Sequence, residues 1–336
     1  MASRPAAPDS PCDAEASTMI DGSKPTDGGP RWGRRPVLAG LGGALAIAFS
    51  AILVSLADES PTTAAVFRCF YAIPLLALLA ARETRAYGPR PRRDHWIGAF
   101  AGVLFSADLI LWHHSIANVG AGLATVLGNL QVVLVAFAAW AVLGERPERR
   151  IVVAVPVVFT GAVMISGVLE AGAYGRDPVL GTLFGVLTTL AYTGFILVLR
   201  QINRDVRRPA GPLLDATAVS AAVSAAAGGL LGDVDLVPSW PSHAWLVLLA
   251  LTSQVLGWLL ISVSLPRLPA ALTSVLLLVQ PVGAVALAVL ILDEQPSALQ
   301  LAGVAVVLAG ICLATITLPR RRVAPFGGLD TEVSSH

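Results

Sequence analysis

Charge is scarce in this 336-residue chain. Asp, Glu, Lys and Arg make up 13% of it, and lysine occurs once, at Lys24. A soluble globular chain carries about 25% charged residues. With 55% hydrophobic residues and a mean hydropathy of +0.72, a chain of this length cannot bury all its apolar surface within itself and needs lipid around it. A net charge of +1 leaves no bulk basic field for nucleic acid. Cysteine is equally sparse: Cys12 sits in a polar tail, Cys69 and Cys312 in apolar runs. They offer neither a CxxC pair nor a disulfide framework. No Cys/His/Glu cluster suggests zinc, since the adjacent His113 and His114 point about 100° apart on a helix. No GxxxxGK[ST] loop is present, so nucleotide hydrolysis is not the expected energy source and no cofactor is expected. A membrane-embedded lipid-modifying enzyme would want a DDxxD-type acidic run or a Ser/His/Asp set at one interface, and neither is found. The chain is therefore not read as an enzyme.

What is there is a series of long apolar runs. A membrane-spanning helix needs about 20 mostly apolar residues. Ten stretches qualify: 36–57, 62–81, 95–117, 120–143, 150–168, 178–199, 212–231, 243–264, 268–292 and 298–318. Turn signals such as Asp58-Glu59-Ser60-Pro61, Glu145-Arg146-Pro147 and Glu294-Gln295-Pro296 separate them. The seventh, rich in Ala and Gly, is the weakest. Residues 1–35 hold no apolar core of a signal peptide; they and residues 319–336 read as disordered tails.

Arginine sets the orientation. With the N-terminus inside and ten spans, 21 of the 23 basic residues fall on the cytoplasmic side, and the outer loops hold only Arg176. Asp58, Glu59, Glu170, Asp177, Asp233, Asp235, Asp293 and Glu294 lie on the other side. This is the asymmetry of a bacterial plasma-membrane protein with both termini in the cytoplasm.

The chain also repeats itself. VGAGLATVLGNLQVVLVAFAAWAVLGERP at 119–147 superposes without gaps on LPAALTSVLLLVQPVGAVALAVLILDEQP at 268–296. The 149-residue shift pairs Gln131 with Gln280, Glu145 with Glu294, and Pro147 with Pro296. A shift of 142 pairs Pro36 with Pro178. The halves are 36–168 and 178–318, and an odd number of helices in each turns the second upside-down. The expected fold class is thus an all-α polytopic membrane protein of ten transmembrane helices in two inverted five-helix repeats. Inverted repeats mark alternating-access transporters with a site near the midplane, although channels use them too.

Each half ends in an apolar helix, a Gly/Asp-Glu-x-Pro turn and a second Gly-containing helix (LGERPERRIVVAVPVVFTGAVMISG and LDEQPSALQLAGVAVVLAGICLATI). Over 36–318 the chain resembles the EamA family of the drug/metabolite transporter superfamily. The stretch GVLFSADLILWHHSIANVGAGLATVLGNLQVVLVAFAAWAVLGERP is similar to actinobacterial members. The resemblance implies a secondary carrier, often an exporter of amino acids or other metabolites, with a central cavity shared by the halves.

Polar residues within spans need a reason, because an ionisable group at the bilayer centre costs about 2.5–3.5 kcal/mol. Arg68 and Asp108 are expected at similar depth, roughly 10–14 Å below the outer surface. That suggests an ion pair lining the cavity; a structural clamp, or Arg68 reaching outward, is the alternative. Trp112 and Ser115 follow Asp108 at i+4 and i+7 on one helical face. Asn129 and Gln131 on the fourth span and Gln280 on the ninth are amides deep in the membrane, read as cavity lining or as interhelical glue. Tyr192, Gln254 and Trp258 complete the candidate set, and no metal ligand is among them.

The expected activity is secondary active transport of a small polar metabolite such as an amino acid, outward, by alternating access. A passive channel or facilitator is the alternative. The expected partners are the solute, the lipid bilayer and protons as coupling ion through Asp108, with a homodimer left open.

Overall fold

Apolar runs in hydrocarbon fold as helices because the helix satisfies every backbone polar group internally. The computed structural model describes residues 34–144, 146–202, 205, 207–264, 267–268 and 270–315. Among them there is no strand. The helices are α1 (Arg34–Ala57), α2 (Pro61–Tyr87), α3 (Arg92–Val119), α4 (Ala121–Gly128), α5 (Gln131–Leu143), α6 (Arg149–Ile165), α7 (Pro178–Ile202), α8 (Ala210–Leu231), α9 (Trp240–Leu249), α10 (Trp258–Ser264), α11 (Ala270–Ile291) and α12 (Ala298–Thr315). A π-helical stretch, Ala250–Gly257, joins α9 to α10. Eight of the resulting rods are long and apolar enough to cross a membrane, counting α4 with α5 and α9 through α10 as single rods. Among the described residues two further helices are α6, of 17 residues, and α11, which carries Pro281 inside it and whose described apolar stretch is Leu278–Ile291. The Ala/Gly-rich seventh segment forms α8 in full. Residues 1–33 of the predicted N-terminal tail, the C-terminal tail and residues 316–318 of the last predicted span lie outside the described residues, as does Glu145, whereas residues 34 and 35 belong to α1.

The predicted continuous fourth span is broken. Asn129 and Leu130 form a turn between α4 and α5. Their amides bond to carbonyls three residues back, Asn129 N to Val126 O at 3.1 Å and Leu130 N to Leu127 O at 3.0 Å, a tighter coil than the α-helix. The Asn129 side-chain amide also donates to Thr125 O at 2.8 Å, competing locally with the backbone ladder. The 149-residue shift carries Leu130 to Val279, beside Pro281. At the equivalent level the second half carries Pro281 inside the continuous helix α11, where proline removes one backbone hydrogen bond.

Consecutive rods run antiparallel, as contacts at their ends show. At one end Asp177 N donates to Asn118 O, Thr62 to Asp233 and Ser242 to Ala57 O. At the other, Arg90 and Asp215 form an ion pair joined by His95, and Glu83 accepts from Ala210 N and Gly211 N. The first is the acidic end and the second the arginine-rich end.

The halves interlock rather than stand apart. The main packing seams are α3 with α7, α6 with α12, α2 with α8, and α1 with α11, every one crossing between repeats. Under the repeat α1 corresponds to α7, and each packs into the opposite half. At the α6–α12 seam a Cβ on Gly161 would stand 2.8 Å from Gly303 O and 2.7 Å from Val307 Cγ2, so the helices meet backbone to backbone. Interior seams are rich in Ala, Ser and Thr, whereas Leu230, Trp96 and Phe159 are 89%, 77% and 69% exposed. Large apolar side chains facing outward is the pattern of helices that meet lipid.

Candidate functional site

The break between α4 and α5, the Pro281 level of α11 and the interlocked rods α1, α2, α3, α7 and α10 line a cavity of about 380 Å³. Arg68, Asp108, Trp112, Asn129, Gln131, Tyr192, Trp258 and Gln280 line it, so residues scattered over more than 200 positions of sequence converge. Gln131 and Gln280, equivalent under the repeat, both face it, from α5 and α11.

Arg68 is buried, 4% exposed, and held by neutral partners. Its Nε donates to Gln254 Oε1 at 3.0 Å and its Nη1 to Ser50 Oγ at 3.1 Å. Gln254 is fixed in turn by donating to Thr217 Oγ1 at 3.1 Å. The guanidinium lies over the Trp112 ring, 5.7 Å from its centroid, a cation–π geometry. Nη2 carries no hydrogen bond among the described residues. Gln254 therefore supports the cavity from behind instead of lining it. It comes from the π-helical stretch, a wider coil that recurs at functional positions.

Asp108 is buried too, 7% exposed. Thr188 Oγ1 donates to its Oδ1 at 2.7 Å and lies equally close to its backbone carbonyl. Arg68 and Asp108 share the cavity, yet no direct ion pair joins them; among the described residues no carboxylate bonds to Arg68. The expected ion pair is replaced by two separately tethered charges. The physical reason is local satisfaction: each charge is held by short polar side chains on neighbouring helices, leaving one face of each turned to the cavity.

Below Trp112 the wall is aromatic. Phe105 stacks on Phe195 with centroids 4.6 Å apart, and Trp258 meets Phe105 and Phe195 edge-on. Tyr192 stands beside Trp258. Among the amides, Gln131 Oε1 is buried without a hydrogen-bond partner. An orphan buried acceptor costs roughly 1–3 kcal/mol, and here it sits on the cavity wall.

Ser115 is not on that wall. It is fully buried and donates to Gly181 O at 2.8 Å, tying α3 to α7. The i+7 spacing put it on the Asp108 face, but α7 covers that part of the face. His113 is also structural, its Nδ1 2.9 Å from Pro61 O. Ser50 and Thr188 escaped the sequence reading although they hold the two charges. One signal pointed to Ser50: the 142-residue shift pairs it with Tyr192. Thr188 carried none, being one of several hydroxyls in α7. No group of His, Cys, Asp and Glu among the described residues could hold a metal ion.

The arrangement offers a guanidinium and a carboxylate on separate walls, amides between them and an aromatic floor. A solved crystal structure is similar, with a TM-score of 0.56 and 17% identity over 83% of this chain and 96% of that one; such a likeness shows the fold alone. No curated protein matches. A profile of the EamA-like transporter family matches twice, over residues 34–167 and again over 179–316. With one match to each half and most of the chain covered, this multi-pass membrane protein belongs to the EamA-like transporter family.

Proposed function

We propose that the chain is a ten-crossing secondary transporter that exports a small polar metabolite, such as an amino acid, by alternating access. The observation that carries this reading is the cavity lined jointly by both repeats, Gln131 and its repeat equivalent Gln280 included, with Arg68 and Asp108 tethered apart on its walls. A zwitterion suits such a pair: its carboxylate meets the free face of Arg68 and its ammonium group meets Asp108. Trp112 and the aromatic floor take its apolar part. Gln131, Gln280 and Asn129 supply neutral hydrogen bonds whose making and breaking costs little on release.

In this reading interlocked bundles, each drawing helices from both repeats 36–168 and 178–318, move against one another around the cavity. The arginine-rich end faces the bacterial cytoplasm, with both termini there. Asp108 serves as the proton-coupling carboxylate.

Counterflow in proteoliposomes tests the proposal. A thermal-shift screen of amino acids, nucleobases and small amines first selects a solute that stabilises the fold. Vesicles preloaded with that solute are expected to accelerate uptake of its labelled form. Uptake without trans-stimulation is the behaviour of a pore and overturns the carrier reading.

A further inference from the structure

At the acidic end, away from the cavity walls, the turn between α11 and α12 places a buried carboxylate on the opposite repeat. Glu294 is 4% exposed. Its Oε1 accepts from Ala121 N at 2.6 Å and its Oε2 from Gly122 N at 3.2 Å. These are the first free amides of α4, where the helix dipole favours negative charge. The turn is shaped for this contact. Asp293 adopts a left-handed φ of 53°, and Glu294 N bonds back to Ala288 O at 3.2 Å. The receiving side is shaped too. Gly120 has φ +93°, and a Cβ there would stand 2.9 Å from the Glu294 carboxylate, which makes glycine the residue that fits.

The contact lies between two pockets. Glu294 lines a separate polar pocket of about 210 Å³ with Ser55, Asn118, Tyr174 and Arg176. Four residues further along, α4 reaches the central cavity at Thr125, and then at Gly128 and Asn129. α4 is thus the partition between pocket and cavity, and Glu294 grips its near end.

We propose that Glu294 is the latch of the acidic end. Its carboxylate holds the N-terminus of α4 against the α11–α12 turn while the cavity is closed to that side, and letting go opens the way from the small pocket to the cavity. Glu294 acts through α4 and is a positioning residue for transport. The proposal rests on the alternating-access reading, but its test needs no solute.

The test reads sided access to Leu109→Cys, on the cavity wall, in a background lacking the native cysteines and in sealed vesicles. A membrane-impermeant maleimide is added on the acidic side, with the exposed Leu236→Cys calibrating sidedness and reactivity. Leu213→Cys, buried near the arginine-rich end, reports general loosening when reagent is added there. Glu294→Ala and Gly120→Val are each expected to raise Leu109→Cys labelling at least about tenfold, the loss of a charge-assisted contact, with Leu213→Cys unchanged. Glu294→Gln, which keeps an acceptor oxygen, stays slow. Unchanged labelling in both Glu294→Ala and Gly120→Val overturns the latch. Equal acceleration at both ends also overturns it, since that marks a merely structural contact. Absent counterflow with the sided pattern intact would instead sink the transport reading and leave the latch standing.

Discussion

Gln254 holds Arg68 in place: its Oε1 lies 3.0 Å from Arg68 Nε, while its own amide is anchored 3.1 Å from Thr217 Oγ1. The guanidinium is thereby oriented with no carboxylate bonded to it among the described residues, and presents its free face to whatever enters the cavity. Replacing Gln254 with Ala removes that orientation and leaves a buried donor unmet, a loss of about 1–3 kcal/mol. Solute affinity, read from the thermal-shift titration, is expected to fall about tenfold or more. Gln254→Glu retains the shape but pairs Arg68 internally, so an anionic or zwitterionic solute should lose more affinity in Gln254→Glu than in Gln254→Ala. The opposite order would show that Arg68 does not meet the solute.

In the proposed mechanism Asp108 both meets the solute's ammonium and exchanges the coupling proton. Asp108→Asn keeps an oxygen to accept from Thr188 but loses the charge and cannot exchange a proton. Transport driven by a pH gradient is expected to drop at least about tenfold in this variant, and further than solute exchange at equal pH on both sides, which loses only the ammonium contact. Full pH-driven transport by Asp108→Asn would remove Asp108 from the coupling path.

The α6–α12 seam gives a prediction about the fold alone. Gly161 faces Gly303 O and Val307 at under van der Waals distance for any added Cβ. Gly161→Val therefore forces the two helices apart, an overpacking cost of about 1–3 kcal/mol. Thermal unfolding in detergent is expected to shift downward by several degrees. An unchanged midpoint would mean that the helices slide freely at this seam.

Much of this architecture was legible in the chain because hydrocarbon leaves a polypeptide few choices. Apolar length marked the rods, and the residue-by-residue repeat marked the two halves. Convergence of Gln131 with Gln280 followed from that repeat without any contact being visible. The turn at Asn129 was hidden because apolar residues flank it on both sides, and its side-chain bond to Thr125 O leaves no trace in hydropathy. Arg68 and Asp108 announced themselves by their cost in a membrane, but their partners did not. Ser50, Thr188 and Thr217 are small hydroxyl residues that pack like alanine in other spans, and a hydroxyl's partner is fixed by the crossing of two helices. Glu294 read as one end of a turn, and its reach to α4 depends on the backbone of Asp293 and Gly120, to which hydropathy is blind.

That reach also fixes a pH dependence. Glu294 lies outside the membrane-spanning helices, and burial raises its pKa above the ordinary glutamate value, with the amides of Ala121 and Gly122 pulling the other way. Tyr174 and Arg176 approach it from the segment before α7, and Asp293 neighbours it on its own turn. α1 and α3 bring the neutral Ser55 and Asn118, and α4 only backbone amides. A carboxyl with a higher pKa when latched than when released into water binds its proton more tightly in the latched state. Closure therefore gains as pH falls through the raised value toward that of a free glutamate, and loses as pH climbs above it. Labelling of Leu109→Cys from the acidic side, divided by that of Leu236→Cys, is expected to slow as pH drops from about 8 to about 5. Glu294→Gln, permanently uncharged, should show a flat ratio over the same span. A ratio that rises on acidification, or an equal slope in Glu294→Gln, would mean that some other group sets access to this end of the cavity.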